Sequence, residues 1–320
     1  MKRFATGLVV GKFAPLHRGH QRLIDAALAA CDRVVVMTWS NPEMVGMQVD
    51  VRVGWLRTIY PDAHVIGFAA SDTPPNNAPP TDHYAFVHAH LPFSIDAVFS
   101  AEAYGPPFAA SLGAEHVALD RSGDHVSGTL LRDDVHRGRD MLDRRVYAHF
   151  VEKVVLMGAE SSGKSTLAQA LAQHFGTVYV EEYGRTLWEA RGGEVSLAEY
   201  VDIAEGHIAL EERALLQADR FAFIDTNAIT TQQYAFFFHG ECPPRVHLLA
   251  NACVDRYDHV FVCAPDFPFH QDGTRVHPQV QQYMDGAIRN DLTIRGIRYT
   301  VVTGSVQARI EQVTEQLLGR

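Results

Sequence analysis

The chain has 320 residues and a mass of 35.5 kDa, room for about two domains. Its 47% hydrophobic and 21% charged residues are the profile of a globular protein, and 38 acidic against 28 basic side chains give a net charge of −10. That balance speaks against a general nucleic-acid binder, while the lack of a long apolar run or a signal-peptide layout points to a cytoplasmic protein without a membrane span.

In chain order, Thr6–Gly11 reads as an apolar strand and Gln21–Ala30 as a helix. Arg33–Thr38 (RVVVMT) is a β-branched run suited to a strand covered on both faces, which completes a βαβ unit. A helix near Val51–Ile59 and a strand at His64–Phe68 continue the alternation. Ser71–Thr81 (SDTPPNNAPPT) breaks it, since its prolines and asparagines exclude regular structure and read as a loop. Ala97–Ser100 and Glu115–Leu119 are the next strands, and Arg132–Phe150 is a charged, helix-permissive stretch that would close the unit.

A second alternation starts at Lys153–Met157 (KVVLM), followed by a helix at Leu167–Phe175 and a strand at Thr177–Val180. Ser196–Ala218 reads as helix, and Phe221–Ile224, His259–Cys263 and Arg298–Val302 as strands. The expected fold is α/β with two doubly wound domains, residues 1–150 and 151–320. Four cysteines (Cys31, Cys242, Cys253 and Cys263) are too few and too uneven for a disulfide framework or zinc ribbon, and read as small buried side chains.

Two strand-to-helix turns carry chemistry. The first is GKFAPLHRGH (Gly11–His20), where backbone N–H groups and a helix dipole face an anion. His17 and His20, three apart, share one face, and Lys12 adds a point charge. The set suits in-line attack at the α-phosphorus of a nucleoside triphosphate, with charge stabilisation and no covalent intermediate. Downstream, SGTLLR (Ser127–Arg132) offers Ser127 and Thr129 to phosphate and Arg132 to the β- and γ-phosphates. The HxGH tetrapeptide alone is expected by chance in roughly 0.07 of such chains, so the flanking residues decide.

The second turn, GAESSGKST (Gly158–Thr166), fits G-x-x-x-x-G-K-[ST] between a strand and a helix. Gly158, Ala159, Glu160, Ser161, Ser162, Gly163 and Thr166 would wrap the phosphates; Lys164 would reach the β- and γ-phosphates and Ser165 would hold Mg²⁺. After the next strand, YVEEYGR places Glu181 and Glu182 where a base for an acceptor hydroxyl would stand. FAFIDTN ends a strand at Asp225, a Mg²⁺-side carboxylate or a simple cap. In QDGTR, Arg275 is a candidate for the transferring phosphoryl group, with a plain turn as the competing reading. Only four of the 28 basic residues are lysine, and two of them, Lys12 and Lys164, stand in these motifs.

The first run, with Gly11, Phe13, Pro15 and Gly19 around its histidines, resembles the HxGH nucleotidyltransferase signature, and SGTLLR resembles that superfamily's SxTxxR element. Followed by a P-loop kinase, the whole chain resembles the bacterial NadR family. The resemblance rests also on VFSAEAYG (Val98–Gly105), EYGR (Glu182–Arg185), IDTNAITT (Ile224–Thr231) and DGTR (Asp272–Arg275). It implies a Rossmann-like nicotinamide mononucleotide adenylyltransferase followed by a ribosylnicotinamide kinase. ATP and Mg²⁺ would serve both sites, and nicotinamide riboside, nicotinamide mononucleotide and NAD would be the other small-molecule partners. Tyr183, Arg185, Trp188 and Asp272 would then hold nicotinamide riboside, through aromatic faces and charge.

Some NadR proteins begin with a DNA-binding helix-turn-helix. Here a strand begins by residue 6, so neither DNA binding nor repression is expected, and a homo-oligomer is left open. Asn227 stands where the family often has a second Asp. Two alternatives are a protein resembling coenzyme A synthase, which shares this architecture, and a nucleotide-sensing regulator without turnover. The kinase segments match the NadR family instead, and a pure sensor need not keep Lys12, His17, His20, Lys164 and Ser165.

Overall fold

The computed structural model describes residues 2–119, 128–266 and 278–319, and forms two compact units, Met1–His149 and Phe150–Arg320. The first unit runs β1 (Phe4–Val10), α1 (Arg18–Ala30), β2 (Cys31–Thr38), α2 (Val49–Ile59), β3 (His64–Gly67) and α3 (Pro80–His90). It continues with β4 (Ala97–Ser100), α4 (Gly105–Ser111), β5 (Glu115–Ala118), α5 (Gly128–Asp133) and α6 (Arg144–Tyr147). All five strands are parallel in the order β3-β2-β1-β4-β5, with Leu8 of β1 opposite Val35 and Val98. β1 is central, and the order reverses around it, which puts the turn after β1 at a topological switch point.

The second unit runs β6 (Glu152–Met157), α7 (Lys164–Phe175), β7 (Val178–Val180), α8 (Tyr183–Ala190), α9 (Glu199–Leu215) and β8 (Phe221–Asp225). Then come α10 (Ala228–His239), α11 (Pro244–Ala252), β9 (His259–Cys263), α12 (Pro278–Ile294), β10 (Thr300–Val302) and α13 (Val306–Leu318). Its parallel sheet has the order β10-β9-β6-β8-β7, again with the strand before the phosphate turn at the centre. Side chains alternate across a strand, so Val154 and Leu156 of β6 pack with Leu167, Leu171 and Val313, while Val155 and Met157 pack with Ala204, Ile229 and Ile288. Helices therefore cover both faces, the doubly wound α/β arrangement in each unit. No helix among the described residues is long and apolar enough to cross a membrane.

Two stretches differ from the sequence expectation. Arg132–Phe150 is not one helix: α5 ends at Asp133, turns follow, and Asp143 restarts the chain by capping α6 with a 2.9 Å bond from the Arg145 N–H. A bridge between Leu142 and His17 ties this segment to the first phosphate turn, a tertiary contact that local helix propensity does not encode. The Ser71–Thr81 loop is shorter than expected, because Pro80 opens α3 at its first position, where a missing N–H costs nothing. The four cysteines are thiols; burial raises Cys31, Cys253 and Cys263 to about 11 and makes them poor nucleophiles.

The second unit is knitted by Arg309 of α13, whose side chain is 1% exposed. Its guanidinium donates to the carbonyls of Ser162 (2.7 Å), Ala264 (2.8 Å) and Gly304 (3.0 Å), and pairs with Asp266. One side chain thereby joins the phosphate turn to the segments that follow β9 and β10. Arg309→Met, similar in length, would strand these acceptors at a cost of about 3 kcal/mol. Calorimetric melting should show that loss in the second unit, with the melting of the first unit unchanged.

Candidate functional sites

In the first unit the turn after β1 starts with the Gly11 N–H bonded to the Met37 carbonyl at 3.2 Å. Phe13 follows in left-handed backbone (φ 49°) with its ring fully buried. His17 is the N-cap of α1, and it and His20 cap each other: each backbone N–H donates to the other's Nδ1 at 3.4 Å. The rings stack at 3.7 Å, and the Phe13 ring meets His20 edge-on at 4.9 Å. Gly19 makes the stack feasible, because a Cβ there would lie 3.1 Å from the His17 ring. Since both Nδ1 atoms accept, the proton of each neutral ring sits on Nε2, where it can be donated to phosphate oxygen. The shared face expected from the spacing is present, as a reciprocal cap rather than as two ordinary helical positions.

The two motifs of this unit come together. Arg132 donates to the Ala14 carbonyl at 2.6 Å and to Thr129 Oγ1 at 3.0 Å. Ser127 lies outside the described residues. Lys12 has its ammonium pKa lowered from 10.5 by partial burial and then by the charges of Arg132 and Arg52. Converging cations of this kind stabilise one another only when an anion lies between them.

Arg52 is a residue that sequence reasoning missed. It is fully buried and donates to the carbonyls of Lys12 (2.8 Å) and Met47 (2.8 Å), to Thr38 Oγ1 (3.0 Å) and to Glu43 (2.6 Å). A signal existed: in α2 the buried positions are Arg52, Trp55 and Leu56, an apolar stripe with an arginine in register. Beside this turn Trp39 stacks on His83 at 6.1 Å, and burial together with the Lys12 charge lowers the His83 pKa. The Pro/Asn-rich loop is clasped to the end of β2. The Asn76 N–H donates to the Asn41 carbonyl at 2.6 Å, and Asn41 Nδ2 donates to the Thr73 carbonyl at 2.7 Å.

In the second unit the turn from β6 to α7 passes through Gly158 (φ 135°), Ser161 (φ 61°) and Gly163 (φ 86°). A Cβ on Gly158 would lie 2.7 Å from the Cys263 carbonyl, so glycine is required twice over. Ala159 and Ser162 are fully buried, and the Ser162 hydroxyl has no hydrogen-bond partner among the described residues. Lys164 folds back to donate to the Ala159 carbonyl at 3.0 Å, while Gln281 of α12 donates to the Glu160 carbonyl at 2.9 Å.

A cavity of about 980 Å³ opens at this turn. Glu160, Ser161, Gly163, Lys164, Ser165 and Thr166 form one wall. Glu182, Arg185 and Trp188 of the α8 segment, Tyr200 and His207 of α9, and Tyr234 and Phe238 of α10 form the others. Glu182 stands at the start of α8 without capping it. Removal from solvent raises its carboxyl pKa, Lys164 opposes the shift, and the Asp225 charge adds to it. Burial pulls the His207 imidazole down to about 4, so it is neutral.

Asp225 ends β8 with 1% exposure, and its Oδ1 has no hydrogen-bond partner among the described residues. It is not the helix cap. Asn227 is, accepting from the Ile229 N–H at 3.0 Å, which gives that residue a structural task in this chain. The buried hydroxyls of Ser161, Thr226 and Thr230 also lack partners there, an arrangement that suits a polar ligand.

Tyr183 does not line the cavity: its ring covers Gly206 of α9, where a Cβ would clash at 2.2 Å. The packing needs of α8 against α9 turn it inward, and Tyr200 and Tyr234, both unread in the sequence, supply aromatic lining instead. Glu181 is exposed and also outside the lining. Asp272 and Arg275 lie outside the described residues.

Comparison with known proteins agrees with this layout. A family model described as an AAA domain matches residues 153–309. Two crystal structures of NadR protein, one in complex with NR and one with NAD and AMP-PNP, are 21% identical to the chain and share its fold over its whole length. Their TM-scores are 0.75 and 0.71, with 97% and 98% of the respective chains covered. The trifunctional NAD biosynthesis/regulator proteins NadR of Salmonella typhimurium and Escherichia coli are each 30% identical over 84% of this chain. The alignment covers 71% of each relative, and likeness of this extent settles kinship: the chain belongs to the NadR family.

Proposed function

We propose that the chain is a bifunctional enzyme of NAD formation, with ribosylnicotinamide kinase and nicotinamide-nucleotide adenylyltransferase activities. The observation that carries this reading is the pair of complete phosphate turns, one in each unit, each after a central strand and each with its own cations. Family membership favours nicotinamide substrates over the pantetheine compounds of the coenzyme A synthase alternative. The transition-state groups at both turns favour turnover over sensing alone. We infer a cytoplasmic enzyme of small molecules, in which neither reaction calls for nucleic acid.

In the kinase, the 5′-hydroxyl of nicotinamide riboside attacks the γ-phosphorus of ATP. Glu182 accepts the hydroxyl proton, the new O–P bond forms, and ADP leaves. Lys164 and the N–H groups of the turn offset charge on the phosphates. The residues present fit a Mg²⁺ ion: Asp225 offers a buried, unpartnered carboxylate oxygen and Ser165 a hydroxyl, both hard oxygen donors. When bound, the ion would neutralise charge on the phosphates. The flat pyridinium cation suits the faces of Trp188, Tyr200 and Tyr234.

In the transferase, a phosphate oxygen of nicotinamide mononucleotide attacks the α-phosphorus of ATP. An O–P bond to the AMP moiety forms as the bond to pyrophosphate breaks. Lys12, Arg132 and the Nε2–H edges of His17 and His20 stabilise charge on the phosphoryl oxygens and on pyrophosphate. The primary test is incubation with nicotinamide riboside, ATP and Mg²⁺, with NAD read by mass spectrometry.

Four substitutions dissect the mechanism. His20→Ala should lower NAD formation from nicotinamide mononucleotide by roughly 10²–10³ and spare the kinase, while Lys164→Ala does the reverse. A mixture of the two should restore conversion of nicotinamide riboside to NAD, and loss of both activities in either folded variant would overturn the two-site reading. Glu182→Gln should cut kinase turnover by about 10²–10⁴ with ATP binding retained. Because the base must be ionised and its pKa is raised above 4.5, wild-type kcat should fall as pH drops through that raised value, and Glu182→Gln should abolish this acid limb. Trp188→Ala should raise the KM for nicotinamide riboside with little change in kcat, as expected for a binding face.

A further inference from the structure

The kinase cavity contains a histidine to which neither reaction above assigns a task. His207 of α9 lines the cavity yet is only 3% exposed. Its Nε2 lies 3.2 Å from the Thr226 carbonyl. A carbonyl can only accept, so Nε2 carries the proton and donates.

Thr226 is the residue immediately after Asp225, and it is held in left-handed backbone at φ 70°. Threonine is β-branched and disfavours that region by steric clash, so the conformation persists only where the surroundings impose it. Here its peptide groups are pinned on both sides. The Thr226 N–H donates to the Leu156 carbonyl of β6 at 2.9 Å, and its carbonyl receives His207. The Oε1 of Glu211, one helical turn on, lies 3.5 Å from the same Nε2. Glu211 itself is 1% exposed and accepts from Tyr257 Oη at 2.8 Å and Arg256 Nε at 2.7 Å. The chain of contacts thus runs from the back of α9 to the backbone that leaves Asp225. Asp225 lies close enough to Glu182 for its charge to raise that carboxyl.

We propose that His207 is a positioning residue of the kinase: its Nε2–H holds the left-handed turn at Thr226 and thereby sets the direction of the Asp225 carboxylate. The proposal rests on the kinase reading above. It deepens that reading by explaining how a strained turn is kept at the metal-side carboxylate.

The test exploits the identity of the donating atom. Glutamine places an amide N–H near the position of Nε2, while asparagine carries the same amide one methylene shorter and cannot reach the carbonyl. His207→Gln should keep kinase kcat within a few-fold of wild type. His207→Asn should lower kcat by about 10–100-fold, the usual effect of removing a partner that orients a ligand. Its KM for nicotinamide riboside should stay near the wild-type value. Mg²⁺-dependent binding of AMP-PNP, followed by calorimetry, should weaken in the asparagine variant and not in the glutamine variant.

Adenylyl transfer, carried by the other unit, should be unchanged in both. Equal losses in the two variants, or wild-type kcat in both, would overturn the proposal. So would loss of the wild-type melting transition in both, since His207 would then be a fold determinant. Absence of kinase activity in the wild-type protein would instead overturn the underlying functional reading.

Discussion

A buried guanidinium behind each phosphate turn is the constraint on which both sites depend. Arg52 and Arg309 are the two largest fully buried side chains among the described residues, one in each unit. Each donates to a carbonyl of its phosphate turn, Lys12 in the first unit and Ser162 in the second. A turn that binds an anion through its N–H groups must send its carbonyls the other way, and those carbonyls need partners inside the protein. Arginine provides several donors from one rigid fork, so a single side chain can collect them. Burial lowers the Arg52 pKa and Glu43 opposes the shift, while Asp266 provides the matching carboxylate for Arg309. Removing such a charge from water is expensive, and its hydrogen bonds offset that cost only in the correct arrangement. The expense is what makes the turn specific.

The backbone concentrates its strain in the same places. Among the described residues, Phe13, Ser161 and Thr226 are the non-glycine residues with positive φ, and all three belong to turns that handle phosphate or its counter-charges. Each is held by a tertiary contact: the buried ring of Phe13 against His20, the turn of Ser161 beside a carbonyl fixed by Gln281, and Thr226 between β6 and α9. Strain of order 1–3 kcal/mol at such positions is sustainable because the surrounding sheet and helices over-determine it. Elsewhere left-handed positions fall to glycine, as at Gly176, Gly240 and Gly319 just past helix ends.

What the sequence disclosed follows from this division. The chemistry at the turns demands particular residues at fixed spacing, so Gly11–His20 and Gly158–Thr166 were legible without a structure. Central strands were legible because burial on both faces forces β-branched runs such as RVVVMT and KVVLM. The helices around the kinase cavity were less so. In α10 the positions Ala228 to Gln232 are all buried, so no polar face marks the period. The side that Tyr183 takes depends on Gly206, which is 23 residues away in α9, and local pattern carries no trace of such a contact. Arg52 and Arg309 read as helix-surface charges until their neighbours are counted. In α13 the buried set is Arg309, Val313 and Leu317, again an arginine in register with an apolar stripe.

The scarcity of lysine now has a physical reading. Where a buried cation must organise the backbone of a phosphate turn, the chain uses arginine, Arg52 in the first unit and Arg309 in the second. A planar fork serves there because the acceptors are fixed and several. In the proposed mechanism the cations that meet a phosphate as it arrives and departs include two of the few lysines, Lys12 and Lys164, with Arg132 beside the first. An ammonium group is a compact point charge on a flexible stem, able to follow an oxygen as its charge changes during transfer. Lys164 shows this economy: it rests on the Ala159 carbonyl within its own turn, a single neutral acceptor that a phosphate can readily replace. A guanidinium in the same place would be bound to several acceptors and slow to exchange them. The two buried arginines thus build the phosphate turns from behind, while the cations assigned to the phosphates themselves, Lys12, Lys164 and Arg132, stand at the front of them.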